Sequence, residues 1–137
     1  MAFFRIVPNL TIMAPKDFKE LEDMMTFAVN LKAPVVIRYP RGGEAERKFR
    51  SHSYIYLKRA ETLTIGKDVT IVAIGNQVSK AMEVCMRLKK YGISAEVINA
   101  RFIKPFDKYA IINSIFKTRF VVTIEDGTLV RRVSYNN

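Results

Sequence analysis

The feature that most constrains this chain is an alternation. Short runs rich in β-branched residues (Val35-Val36-Ile37, Val69 to Ile74, Ala95 to Ala100, Phe120 to Ile124) are separated by stretches whose apolar residues recur at helical spacing. Near-continuous apolar strands are those covered on both faces, and a helix between two such strands joins them as a right-handed crossover. The expected fold class is therefore α/β, parallel open sheets with flanking helices. At 137 residues the chain is long enough for one domain or for parts of two.

The first part reads as a βαβ unit. Ala2-Phe3-Phe4 is apolar with no turn signal before it, so the opening resembles the interior of something longer. Leu10 to Met13 is a strand candidate after the turn chemistry of Pro8-Asn9. Asp17 and Glu20 have the Asp-x-x-Glu form of a capping box, with Asp17 as N-cap. Phe18, Leu21, Met24, Met25, Ala28 and Leu31 form the expected apolar face, with Lys19, Glu22, Asp23 and Asn30 toward water. Ala33-Pro34 ends the helix, and Val35 to Tyr39 is the second strand. Parallel pairing brings Ala14-Pro15 and Arg41-Gly42 to one carboxyl edge.

Residues 44–60 are polar, mixed in charge and without period, and read as a loop or linker. Tyr54 to Tyr56 and Leu63 to Ile65 are short strand candidates that could pair, followed by a turn at Gly66-Lys67-Asp68. Residues 69–124 then give β-α-β-α-β. The strand Val69 to Ile74 breaks at Gly75-Asn76, with Asn76 able to cap the next helix. Val78, Ala81, Met82, Cys85 and Leu88 mark that helix's apolar face, and Gly92 is a natural residue just past its end. Arg101 to Asp107 leads from the third strand to a helix at about Lys108 to Phe116.

Charge narrows the partners. Net charge is +10, spread as 11 Lys and Arg against 6 Asp and Glu in residues 1–60, and 12 against 7 in residues 61–137. An even excess without a basic block favours small anionic ligands, so no nucleic-acid partner is expected. No apolar run approaches the roughly 20 residues of a membrane span, and no membrane association is expected. The single Cys85 fits a reducing, cytoplasmic setting, and its place in an apolar stripe makes it a packed thiol.

Tyr39-Pro40-Arg41-Gly42-Gly43 is the stretch with the most chemistry. Pro40 stops the strand, and an arginine just past a strand's carboxyl end sits where open α/β sheets hold ligands. Its fork suits phosphate or carboxylate, and the glycines let the backbone come close. A solvated arginine in a plain turn remains the alternative. Arg38, three residues back, is turned to another side by the strand's alternation. His52 has no metal-spaced companion and reads as a loop histidine. Glu125-Asp126 suits a solvated turn, or acid–base or magnesium work.

Several segments resemble the 1-deoxy-D-xylulose-5-phosphate synthases of the transketolase-like thiamine-diphosphate family. They are Pro8 to Asp17, Val36 to Gly42, Asn99-Ala100-Arg101-Phe102-Ile103-Lys104-Pro105-Phe106-Asp107, and Thr123-Ile124-Glu125-Asp126. The likeness spans about residues 3–130. It implies the end of a pyrimidine-binding domain at 1–43, a linker at 44–61, and a partial transketolase C-terminal domain at 62–137. It also implies joining of pyruvate to glyceraldehyde 3-phosphate by a homodimer that uses thiamine diphosphate and magnesium, in isoprenoid precursor synthesis. Arg41, with Tyr39 and Gly42, would then hold the aldehyde's phosphate group.

The departures are as informative. The glutamate that activates the thiamine ring, the cofactor-facing histidines and the Gly-Asp-Gly type motif have no counterpart here. Residues 130–137 depart from the family's glycine-rich continuation and read as a truncation or a foreign tail. The expectation is thus a fragment inactive alone, with no catalytic residue, no metal site and no cofactor bound by this chain by itself, forming homo-oligomers. Two alternatives stand beside it: a non-catalytic α/β phosphate-ligand or interaction module, and a subunit of a thiamine-dependent 2-oxo-acid dehydrogenase.

Overall fold

The computed structural model describes Phe4, residues 6–40, Phe49 and residues 53–126. The elements are β1 (Thr11–Met13), α1 (Phe18–Leu31), β2 (Val35–Ile37), β3 (Glu61–Thr64), β4 (Val69–Ala73), α2 (Gln77–Lys90), β5 (Ala95–Asn99), β6 (Phe102–Lys104), α3 (Lys108–Thr118) and β7 (Val121–Ile124). They build two sheets, ordered β2-β1-β6 and β3-β5-β4-β7. The architecture is α/β with flanking helices, as the alternation implies.

In the first sheet β1 and β2 run parallel, Thr11 opposite Val35 and Met13 opposite Ile37. The capping box starts α1, since the Asp17 carboxylate accepts from the Glu20 backbone N–H at 2.7 Å. Glu20 does not point to water. It is fully buried beside Met24, while Phe18 and Met25, expected on the core face, are exposed. The inward stripe is Glu20, Met24, Phe27 and Ala28, because cations from elsewhere in the fold neutralise the buried carboxylate.

The third strand of that sheet comes from far along the chain. β6, absent from the sequence reading, pairs antiparallel with β1 and buries Phe102 between Met13 and Met24. β5 and β6 are consecutive yet lie in different sheets. The switch is made at Arg101, whose φ of 58° is left-handed, and whose carbonyl accepts from Ala14 N–H at 2.9 Å.

The second sheet holds β5, β4 and β7 in parallel, with β3 antiparallel along the edge of β5. Side-chain alternation divides its core. Ile71, Ala73 and Val97 face α2, where Val78 and Ala81 meet them with Met82, Cys85 and Leu88 alongside. Val72 and Ile98 face the other way, toward Ile111 of α3. Gly92 (φ 76°) closes α2 in a Schellman motif, since Gly92 N–H reaches the Lys89 carbonyl and Ile93 N–H the Leu88 carbonyl, both at 3.1 Å. Two local expectations are corrected. Residues 54–56 form no strand, because this segment is held by a side chain and not by a ladder; the strand is Glu61–Thr64, paired to β5. Asn76 makes no capping bond, its amide oxygen being taken by Gln77 at 3.3 Å.

Candidate functional site

The carboxyl ends of β1, β2, β4 and β7 meet at a small cleft of about 40 Å³, lined by Ala14, Arg38, Pro40, Gly75, Asn76 and Asp126 among others. Parallel pairing of β1 with β2, and of β4 with β7, puts these ends together. Arg41 and Gly42 lie outside the described residues. Arg38 is half-buried in the cleft, its backbone N–H donating to the Met13 carbonyl at 2.8 Å. Tyr39 stacks its ring on Phe18 at 5.7 Å and 24° between planes, which ties the end of β2 to the start of α1. Asp126 reaches the cleft, whereas its neighbour Glu125 lines a separate apolar hollow of about 230 Å³ with Phe102 and Phe106.

The densest chemistry lies at the other side of the same edge, and sequence reasoning missed it. Lys16, Glu20, Asn99 and Arg101 are each no more than 2 % exposed. Arg101 Nε donates to Glu20 Oε1 at 2.7 Å, and its Nη2 lies 3.2 Å from Glu61 Oε1. Lys16 Nζ donates to Glu61 Oε2 at 2.6 Å and to Glu20 Oε1 at 3.3 Å. The Asn99 amide donates to both glutamates, at 3.0 Å to Glu20 and 3.1 Å to Glu61. Burial would raise the Glu61 carboxyl, but the Lys16 hydrogen bond and charge, the Arg101 charge and the Asn99 amide outweigh it and hold it below the ordinary glutamate range. Among the described residues no buried side-chain nitrogen or oxygen lacks a partner. The two cations and two carboxylates of the cluster neutralise one another where water is largely excluded. The cluster's only early signal was that Lys16 and Asn99-Ala100-Arg101 stand in the segments that carried the family resemblance.

Other candidates stay apart. His52 lies outside the described residues. Cys85 is half-buried, its Sγ 3.7 Å from Thr64 Oγ1 and from the Ala95 carbonyl. Among the described residues no three His, Cys, Asp or Glu side chains come together to hold a metal, and no helix is long and apolar enough to cross a membrane.

The family profile described as "Transketolase, C-terminal domain" matches residues 58–131, more than half of the chain. The chain belongs to the transketolase C-terminal domain family. Its curated relatives include proteins named 1-deoxy-D-xylulose-5-phosphate synthase from Halothermothrix orenii, 46% identical over 130 residues, and from Desulfotalea psychrophila, 46% identical over 133 residues. Each alignment covers 94% of this chain, but only 20% and 21% of the relative, so the chain spans about a fifth of their length. Among solved structures, a split gene transketolase described as an inactive β4 tetramer superposes with a TM-score of 0.87 at 32% identity, covering 94% of this chain and 43% of that one. A transketolase from Pichia stipitis, with TM-score 0.72 at 24% identity over 95% of this chain and 20% of that one, shares the fold. In this transketolase-type chain the family match begins ahead of β3 and runs through β7, so it includes β6, the strand lent to the first sheet.

Proposed function

We propose that this chain is a segment of a 1-deoxy-D-xylulose-5-phosphate synthase. Residues 1–43 belong to the pyrimidine-binding domain, 44–61 connect, and 62–137 belong to the transketolase C-terminal domain. The reading rests on one observation: 46% identity across 94% of the chain to relatives that bear that name. The segment's part in the reaction is to hold glyceraldehyde 3-phosphate by its phosphate group, with Arg41 as the charged donor and Tyr39 and Gly42 shaping the approach. Fork geometry and charge-assisted hydrogen bonds suit arginine to this task. Support comes from the cleft where the strand ends converge, with Arg38 and Pro40 at its wall.

Thiamine diphosphate with magnesium supplies the parent reaction's carbanion chemistry on pyruvate. Among the described residues no three His, Cys, Asp or Glu side chains come together to hold a metal. In this reading catalysis draws on residues beyond this segment, in a cytoplasmic homo-oligomer. The likeness to a split gene transketolase supports a second reading, a thiamine-enzyme subunit completed by a partner chain. The module that merely binds a phosphorylated ligand is less well supported, since nothing but the cleft speaks for it.

Two experiments test this. The chain alone, given pyruvate, glyceraldehyde 3-phosphate, thiamine diphosphate and magnesium, is expected to give no product; turnover above a no-protein control overturns that expectation. In a full-length synthase carrying this segment, Arg41→Ala is expected to raise KM for the phosphorylated aldehyde about 10- to 150-fold, the worth of a hydrogen bond to a charged group, with pyruvate kinetics nearly unchanged. Arg38→Ala is the comparison. If Arg38→Ala alone raises that KM, the phosphate is assigned to the wrong arginine; if neither does, the phosphate reading fails.

A further inference from the structure

The segments Ala14-Pro15-Lys16-Asp17 and Asn99-Ala100-Arg101 take no part in the phosphate reading, yet Lys16, Asn99 and Arg101 are among the most deeply buried side chains of the molecule. Lys16 and Glu20 come from the entry of α1, Asn99 and Arg101 from the carboxyl end of β5, and Glu61 from the start of β3. We propose that this cluster is a latch that holds the second sheet on the first in one placement, with Arg101 as its positioning residue. The inference stands whether or not Arg41 binds phosphate.

Three features carry it. The first is that one guanidinium serves three parts of the fold. Nε is bonded to Glu20 of α1 at 2.7 Å and Nη2 to Glu61 of β3 at 3.2 Å. Nη1 donates to the Tyr54 carbonyl at 3.1 Å, and Nη2 to the Ser53 carbonyl at 3.1 Å and hydroxyl at 3.0 Å. The connecting segment is thereby fastened to both sheets at once. A lysine ammonium could not span these directions.

The second is directionality. Apolar packing is non-directional and tolerates a small slide. The cluster does not, because its two cations and two carboxylates are compensated only in this placement. Displacing one sheet by the length of a hydrogen bond strands charges away from water. Buried ion pairs are weak stabilisers against well-packed apolar replacements, so a role in fixing arrangement accounts for them better than a role in stability.

The third is the position of Arg101 in the chain. It is the residue at which the backbone leaves the second sheet and enters the first as β6. The covalent crossover and the ionic contact coincide there, and the Ala14 N–H bond to the Arg101 carbonyl ties the same residue to the end of β1.

The test is hydrogen exchange of the full chain in rising denaturant, read by mass spectrometry on peptides of β1 and α1 and of β4 and α2, with limited proteolysis reading residues 53–56, whose carbonyls and hydroxyl meet Arg101. In the parent the two sheets are expected to open in one transition. Arg101→Lys keeps the charge and loses the fork; cleavage within residues 53–56 is expected to speed up roughly tenfold or more, with the first sheet opening ahead of the second. Glu61→Gln, at the rim of the cluster, is the second variant should Arg101→Lys fail to fold, and is expected to separate the two openings in the same order. Coincident opening with unchanged cleavage of 53–56 overturns the latch. So does a uniform loss across both sheets in one transition, which would mark the cluster as a contributor to bulk stability only.

Discussion

Glu61 is where a single ionisation bears most directly on the fold. Its carboxyl is lowered in the folded chain because Lys16, Arg101 and Asn99 together outweigh the cost of burial. A lowered folded value means that the unfolded chain binds the proton more readily. The stabilisation is therefore fully present above the unfolded glutamate value of about 4.3, and is lost as pH falls through the lower folded value. Glu61→Gln is expected to cost roughly 1.5–3 kcal/mol at neutral pH, and the gap in melting temperature from the parent should close as the buffer is taken below pH 4 or so. A gap that stays constant with pH would mean that the charge of Glu61 is not what matters. Glu96 offers a second case. Burial raises its carboxyl, but the Lys117 ammonium, the Ser114 hydroxyl and the Gly66 N–H more than offset this and lower it. Lys117→Met removes the largest opposing partner, so the Glu96 carboxyl should move upward in a carboxyl-carbon NMR titration. An unmoved titration would show that the short Lys117–Glu96 contact does not persist in solution.

At the scale of elements, glycines and caps fix where strands and helices begin. A Cβ on Gly66 would stand 2.2 Å from the Ala95 carbonyl carbon and 2.3 Å from the Glu96 nitrogen, both backbone atoms that cannot step aside. Gly66→Ala is therefore expected to cost about 3 kcal/mol or more. Gly92→Ala meets open space and suffers only its left-handed φ of 76°, about 1 kcal/mol. Equal losses in denaturant unfolding of the two variants would contradict this ranking. Asp107 caps α3 through the Ala110 N–H at 3.1 Å and also accepts from Ala60 N–H at 2.9 Å, so Asp107→Ala should cost roughly 1–3 kcal/mol. The helices, the parallel strands β1, β2, β4, β5 and β7, and the cap at Asp17 were legible in the sequence because each is written locally, in period and in capping residues. β6 was not, for three residues ahead of Pro105 carry no period, and only pairing with β1 makes them a strand. The ionic cluster was hidden for the same reason: Glu20 is joined to Asn99 and Arg101 across 79 and 81 residues, and a helix pattern alone sends a glutamate to solvent. Of the phosphate stretch, the sequence indicated the edge where strand ends converge, but the cleft that takes up Arg38 is walled by Gly75, Asn76 and Asp126 from far along the chain, which no local pattern writes.

Among the described residues the molecule has three apolar clusters, and the edge at β7 with the outer face of α3 leaves large apolar side chains exposed. β7 pairs with β4 alone among the described residues, and both Val121 and Val122 on it are exposed. Beside it, Tyr109, Ile112 and Phe116 recur along the outer face of α3, with Phe116 82% and the following Phe120 70% exposed. A strand edge left unpaired among the described residues, together with an apolar face of this kind, favours association, so the chain is expected to form dimers or larger species. The net charge of +10 opposes it, since like-charged copies repel at long range and salt screens that repulsion within about 10 Å at 0.1 M. The two effects predict a definite salt response: association should strengthen as salt is raised, whereas contacts held by ion pairs would weaken. Val122→Lys on the edge and Phe116→Lys on the helix should each shift the population toward monomer with the melting temperature little changed, because neither side chain is buried in the isolated chain. Sedimentation velocity at several salt concentrations measures both responses. A monomer that persists at high protein concentration and high salt would remove the self-association, and oligomers that dissolve as salt rises would relocate it from this apolar face to a charged one.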